Sequence, residues 1–159
     1  MILIDVGNTN IVFAVCSNNL IKRIIRINTN QNKNKLKTLI NSIIINYSAI
    51  KIIDNRKVAI ISSVVPSLNS IIANILKKNL INAFIIKVRD IKPFLKINYK
   101  LKEIGADRLA NSMAIIKTKI TNSIVVDFGT ATTFEVIKNN IFLGGIIFPG
   151  INLPKNTLI

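Results

Sequence analysis

The sequence predicts a duplicated α/β fold: a mixed sheet flanked by helices, then the start of a second copy. Three observations predict it. A strand-to-turn phrase occurs twice, as Asp5-Val6-Gly7-Asn8-Thr9 and as Asp127-Phe128-Gly129-Thr130-Ala131-Thr132-Thr133. Each copy follows an apolar run, Met1-Ile2-Leu3-Ile4 or Ile124-Val125-Val126, that reads as a buried strand. Between the copies, helical spacing of apolar residues alternates with short apolar runs, the pattern of helices layered on a sheet.

The elements follow in order. Strand signals at Met1 to Asp5, Ile11 to Cys16 and Leu20 to Ile27 are separated by polar turns at Gly7 to Asn10 and Ser17 to Asn19, which predicts an antiparallel meander. Thr29 to Lys35 is polar and predicts a loop. From Leu36, the positions Leu36, Leu39, Ile40, Ile43, Ile44 and Tyr47 predict a helix with one buried face. Val58 to Ser62 predicts a strand buried on both faces. Pro66 opens a second helix with Leu68, Ile71, Ile72, Ile75 and Leu76 inward. Ala83 to Val88 predicts a strand and Asp90 to Tyr99 an irregular stretch. Gly105 to Lys119 predicts a helix with Leu109, Met113 and Ile116 on one face. Ser123 to Asp127, Thr133 to Ile137 and Ile141 to Ile147 then restart the opening three-strand pattern. The repeat divides the chain into a first domain, 1–120, and the beginning of a second, 121–159.

Composition excludes several chemistries. No histidine is present, which removes histidine bases and the Ser-His-Asp mechanism. One cysteine, Cys16, lies in an apolar run, so neither a disulfide within the chain nor a zinc cluster can form, and a reducing cytoplasm is expected. Asp5 interrupts the first apolar run, so no signal peptide is expected. No apolar run approaches the roughly 20 residues of a membrane span. The formal charge of +15 comes from 22 Lys and Arg scattered among isoleucine and asparagine. Aromatic residues make up only 6% and form no stacking array, so no specific nucleic-acid partner is expected. The charge raises affinity for anions generally.

The acidic residues are more informative. There are only seven, and three of them lie near glycine in short motifs: Asp5, Asp127, and Asp107 in Gly105-Ala106-Asp107-Arg108. Glycine lets a backbone approach a ligand closely, and turn amides can face an anion. A strand-end aspartate can hold the cation that accompanies phosphate. Two such loops facing one cleft would clamp a nucleoside triphosphate without a P-loop. Taken singly, each aspartate equally suits a turn or helix cap; the set of three favours a site.

At these residues the sequence resembles the type III pantothenate kinases of the sugar kinase and actin superfamily. The matching motifs are Asp5-Val6-Gly7-Asn8-Thr9-Asn10, Ser62-Ser63-Val64-Val65-Pro66, Gly105-Ala106-Asp107-Arg108, Asp127-Phe128-Gly129-Thr130-Ala131-Thr132, and Gly144-Gly145-Ile146-Ile147-Phe148-Pro149-Gly150. The resemblance implies duplicated RNase H-like (actin-like ATPase) domains, the second incomplete over this span. It implies transfer of a phosphoryl group from ATP to pantothenate, the first step of coenzyme A biosynthesis, in a cytoplasmic homodimer. Asp5, Val6, Gly7, Asn8, Thr9, Asn10, Ile11 and Val12 would form the ATP phosphate loop, with Thr130 as a second ATP contact. Gly105, Ala106, Asp107 and Arg108 would bind pantothenate, Asp107 being the proton acceptor. Asp127 would hold a monovalent cation, potassium or ammonium, and magnesium would accompany ATP. Tyr99 is carried over as a substrate contact, although Lys100-Leu101-Lys102 follows it where the family has an Asn-Pro stretch.

Chemistry alone leaves two further readings of Arg108, an ion pair with Asp107 or a place on the helix surface, and a capping role for Thr130. The family continues well past residue 159, which sets an inactive remnant or a non-catalytic nucleotide-binding relative beside the kinase as alternatives.

Overall fold

The computed structural model describes residues 1–18, 20–48 and 57–150, the side chains of Ser48 and Lys102 excepted. It divides into two compact units, Met1–Ile86 and Lys87–Ile159. The copies 1–120 and 121–159 are divided by sequence repeat, whereas these units are divided by packing. The segment that carries the Gly105–Arg108 motif packs with the second sheet.

The first unit runs β1 (Ile2–Val6), β2 (Asn10–Ser17), β3 (Leu20–Asn28), α1 (Lys33–Ser48), β4 (Val58–Ser63), α2 (Pro66–Lys78) and β5 (Asn82–Ile85). Its sheet has the order β3-β2-β1-β4-β5. The opening three strands are the predicted antiparallel meander, and β4 and β5 add in parallel. Alternation along the strands sends Ile2, Ile4, Val6, Ile11, Phe13, Val15, Ala59 and Ile61 to one face. Leu36, Ile40, Ile44 and Tyr47 of α1 and Leu68, Ile72 and Leu76 of α2 close over them. In β4 only this face is fully buried; Ile60 and Ser62 on the other are half-buried, so the expectation of burial on both faces holds in part.

Helix α1 begins at Lys33, inside the stretch predicted as loop. Asn32 accounts for the early start: its Oδ1 accepts the Asn34 N–H at 2.9 Å, satisfying one of the unpaired donors of the first turn. Polar residues in that turn hid the helix from a search for apolar spacing.

The second unit runs α3 (Val88–Ile91), β6 (Lys96–Ile97), a 3-10 turn (Leu101–Glu103), α4 (Ala106–Lys117), β7 (Asn122–Phe128), β8 (Ala131–Lys138) and β9 (Ile141–Pro149). The sheet order is β6-β9-β8-β7, with β7, β8 and β9 an antiparallel meander. Asn139 and Asn140, both at positive φ, make the tight β8–β9 turn. The stretch from Asp90 to Tyr99, expected to be irregular, instead holds the end of α3, the buried Ile91 and Leu95, and β6, which pairs in parallel with β9. Two residues carry no readable period; a distant strand supplies their hydrogen bonds. Helix α4 buries Arg108, Leu109 and Ser112, while Met113 and Ile116 are only half-buried. Its inward face is thus built around an arginine, not solely around the predicted apolar stripe. Among the described residues no helix is long and apolar enough to cross a membrane.

Candidate active site

In the first unit, β1 ends at Val6 and the chain turns at Gly7, whose N–H donates to the Asn10 carbonyl at 2.9 Å. A Cβ at Gly7 would lie 3.1 Å from that carbonyl oxygen, so the turn is tight. The start of the segment after β3 clips it from outside: Thr29 Oγ1 donates to the Gly7 carbonyl and Thr29 N–H to the Thr9 carbonyl, both at 2.8 Å. Asp5 sits between Val12 of β2 and Ser62 of β4, on the face opposite the helix-covered core, and is exposed. The parallel register therefore brings the Ser62–Pro66 motif beside the Asp5–Asn10 turn. The Val64 N–H donates to the Val6 carbonyl at 3.0 Å, and Ser63 Oγ accepts the Val65 N–H at 3.2 Å. Ser62 Oγ is buried without a hydrogen-bond partner among the described residues. These are backbone and hydroxyl groups gathered beside one carboxylate, a suitable cradle for an anion and its cation.

In the second unit, Gly105 precedes α4 and Asp107 lies in the helix's first turn, where the unpaired N–H groups favour a carboxylate. The Arg108 N–H donates to Asp107 Oδ1 at 2.8 Å. The guanidinium goes elsewhere. Arg108 is 4% exposed and its Nε donates to Glu135 Oε1 at 3.1 Å. That oxygen also accepts the Thr133 hydroxyl at 2.7 Å. The Arg108 guanidinium carbon lies 5.6 Å from the centre of the Phe142 ring, a cation–π contact. Neither an Asp107 ion pair nor a helix-surface place describes this arginine.

The Gly144-Gly145 pair follows from the same packing. Gly144 has φ +111, and a Cβ there would collide with the Tyr99 ring; a Cβ at Gly145 would collide with the Phe134 carbonyl and lie 2.8 Å from Arg108 Nη2. Tyr99 meets Phe142 edge to face, with centroids 6.2 Å apart. Tyr99, Arg108 and the two glycines are thus brought together. Asp127, exposed at the end of β7, accepts the Asn111 side-chain N–H at 3.1 Å. Asn111 stands one helical turn after Asp107, so α4 links both aspartates. Gly150 packs against the Gly129–Thr130 turn, where a Cβ would lie 2.7 Å from the Gly129 carbonyl and would also meet that of Thr130.

Glu135 is the residue that sequence reasoning missed. The signal was present: an acidic side chain in the middle of the apolar run Phe134-Glu135-Val136-Ile137 must be paired if that strand is buried.

Residues 1–159 match the sequence profile of the family described as type III pantothenate kinase. A protein of that name from Pelagibacter ubique is 37% identical over 158 residues, covering 97% of this chain and 60% of its own length. The chain spans 60–63% of the length of the curated relatives it matches. Among solved structures, a Campylobacter jejuni protein described as a Baf family transcriptional activator superposes with a TM-score of 0.56 at 24% identity, covering 95% of this chain and 55% of its own. The Ppx/GppA phosphatase of Aquifex aeolicus gives 0.55 at 12% identity, covering 94% and 52%. These likenesses show the fold alone, an α/β architecture of mixed sheets and helices shared over most of this chain.

Proposed function

Because the chain belongs to the type III pantothenate kinase family, we propose that the whole protein transfers the γ-phosphoryl group of ATP to the primary hydroxyl of pantothenate. The hydroxyl oxygen attacks phosphorus, the bond to the β-phosphate oxygen breaks, ADP leaves, and the hydroxyl proton passes to the Asp107 carboxylate. The product is 4'-phosphopantothenate, the first intermediate of coenzyme A biosynthesis. The observation that carries this reading is Asp107 itself, held in the first turn of α4 by the Arg108 N–H and half-buried. Phosphoryl transfer asks mainly for alignment and charge neutralisation, with one carboxylate to take the proton.

The other roles are proposals of the same kind. Asp5 to Val12 receive the ATP phosphates, and Thr130 makes a further ATP contact. Tyr99 and Gly105 to Arg108 bind pantothenate. Among the described residues no group of three or more His, Cys, Asp or Glu side chains is placed to hold a metal. Magnesium therefore fits as a companion of the ATP phosphates near the exposed Asp5, where it would neutralise phosphate charge. Asp127, a single exposed carboxylate steadied by Asn111, suits a loosely held potassium or ammonium ion. A cytoplasmic homodimer completes the proposal.

A second reading concerns the 159-residue polypeptide by itself, which spans 60–63% of the length of these relatives: a nucleotide binder without turnover. One assay separates the two. ADP release is measured with and without pantothenate, for the 159-residue chain and for the whole protein. Pantothenate-dependent release by the whole protein alone is the expected result. Turnover by the short chain would overturn the second reading, and none by either would overturn the first.

A further inference from the structure

Resting on that reading of the site, we infer that Glu135 is a positioning residue: it fixes the Arg108 guanidinium and, through Arg108, the first turn of α4 that carries Asp107. No strand requirement calls for an acid at this place. Asp5 and Asp127 are equivalent in the repeat, Leu3 pairs with Ala14, and Val125 pairs with Glu135. Ala14 is therefore the counterpart of Glu135 in the first copy. One strand further, Ala14 pairs with Ile24, whereas Glu135 pairs with Gly145. The second copy thus differs from the first at two adjacent positions, an acid for alanine and a glycine for isoleucine. The acid supplies the partner of Nε; the glycine is required first by the Phe134 carbonyl, which a Cβ there would strike, and it also leaves the space beside Nη2 open.

The form of the pair also argues for orientation over stabilisation. Glu135 is fully buried and Arg108 nearly so, and removing two charges from water is costly unless their hydrogen bonds are complete. A bridge optimised for strength would be fork to fork, two parallel N–H···O bonds. Here Oε1 takes both the Arg108 Nε–H and the Thr133 hydroxyl, while Glu135 Oε2 and Arg108 Nη2 have no partner among the described residues. The contact is therefore a single bond through Nε on the side of the guanidinium, and the Phe142 ring limits the remaining rotation of that group. The Arg108 backbone then holds Asp107 Oδ1 through its N–H, and Ser112 Oγ ties the Arg108 carbonyl one turn on at 2.8 Å. Misplacing a reacting group by even about 1 Å can cost roughly 100-fold in rate.

The test compares wild type, Glu135→Gln and Thr133→Val in the whole protein. Pantothenate and ATP are varied separately, and thermal melting is recorded beside the kinetics. Glu135→Gln is expected to raise the KM for pantothenate and to lower kcat, together costing about 100-fold in kcat/KM, with the KM for ATP unchanged. Thr133→Val, which keeps the charge, should move the same parameters in the same direction by roughly two- to fivefold. A merely structural role predicts a lower melting temperature with ordinary kinetic constants for the folded enzyme, and that result overturns the inference. If Glu135→Gln does not fold, Thr133→Val decides, and an unchanged KM for pantothenate would overturn it. A second readout needs no turnover. The Nε–H resonance of Arg108 in arginine-labelled protein should be protected from exchange in wild type and lose that protection in Glu135→Gln. Loss of protection supports the inference even if the wild-type protein phosphorylates no pantothenate, which would defeat only the functional reading; unchanged protection overturns it.

Discussion

The two meanders carry nearly the same pattern and meet different fates. Ile2, Ile4 and Val6 of β1 are exposed by 1%, 1% and 0%; their counterparts in β7, Ile124, Val126 and Phe128, are exposed by 67%, 40% and 68%. The strand registers are equivalent, Ile4 opposite Phe13 and Val126 opposite Phe134. What differs is the cover. In the first unit α1 and α2 lie on this face; in the second, among the described residues, Ile146 and Phe148 of β9 extend an exposed apolar face. Alternation alone makes a strand with one apolar side, and burial then requires a second layer with its own apolar stripe. The opposite face of the second meander is, by contrast, the one that holds α4, the Arg108–Glu135 pair and the two aspartates.

That contrast can be broken at several points, and the largest effect belongs to the covered side of the second unit. In the whole protein, Asp107→Asn keeps size and shape but removes the proposed proton acceptor. Its kcat is expected to fall by roughly 10²–10⁴-fold while ATP binding survives. Steady-state kinetics beside nucleotide titration checks this, and an unchanged kcat would assign the base elsewhere.

The apolar faces come next. Ile4→Ala, in the covered face, should cost about 2–5 kcal/mol, whereas Val126→Ala in this 159-residue chain should cost within roughly 0.5 kcal/mol. Denaturant unfolding of each unit reads the difference; equal losses would mean that the second face is covered after all. Solubility should respond in the opposite sense. The 159-residue chain is expected to aggregate through residues beyond about Thr121, since large exposed apolar patches associate. Phe128→Lys should then lower light scattering without loss of melting temperature, while Val6→Lys should abolish the fold of the first unit.

The smallest effect is alkaline. Burial pushes the Tyr47 phenol above its ordinary value of 10.0, against the opposing pull of the Arg23 charge. A raised pKa means that the folded state holds this proton more tightly than the unfolded chain. The resulting stability is complete below pH 10 and is lost as pH rises through the folded pKa. The hydroxyl has no partner among the described residues, so Tyr47→Phe should keep stability at neutral pH and flatten that alkaline decline. Unfolding of the first unit across this range would show an equally steep decline in both proteins if the idea is wrong.

Much of this molecule was legible along the chain, because the legible parts are local. Side-chain alternation, helical spacing in α1 and α2, and glycine in tight turns are each set within a few residues of themselves. That was enough for the repeat, for the meanders, and for three aspartates near strand ends or a helix start. Tertiary structure decided the rest. Arg108 lies 27 residues from Glu135, β6 draws its hydrogen bonds from β9 more than 40 positions on, and Gly145 is glycine because the Phe134 carbonyl of the neighbouring strand, and beyond it an arginine from α4, leave no room for a Cβ. Nothing local distinguishes Ile4 from Val126 either. A local pattern specifies which side of a strand is apolar, but a charge's partner and a face's cover are supplied by segments that only folding brings within contact distance.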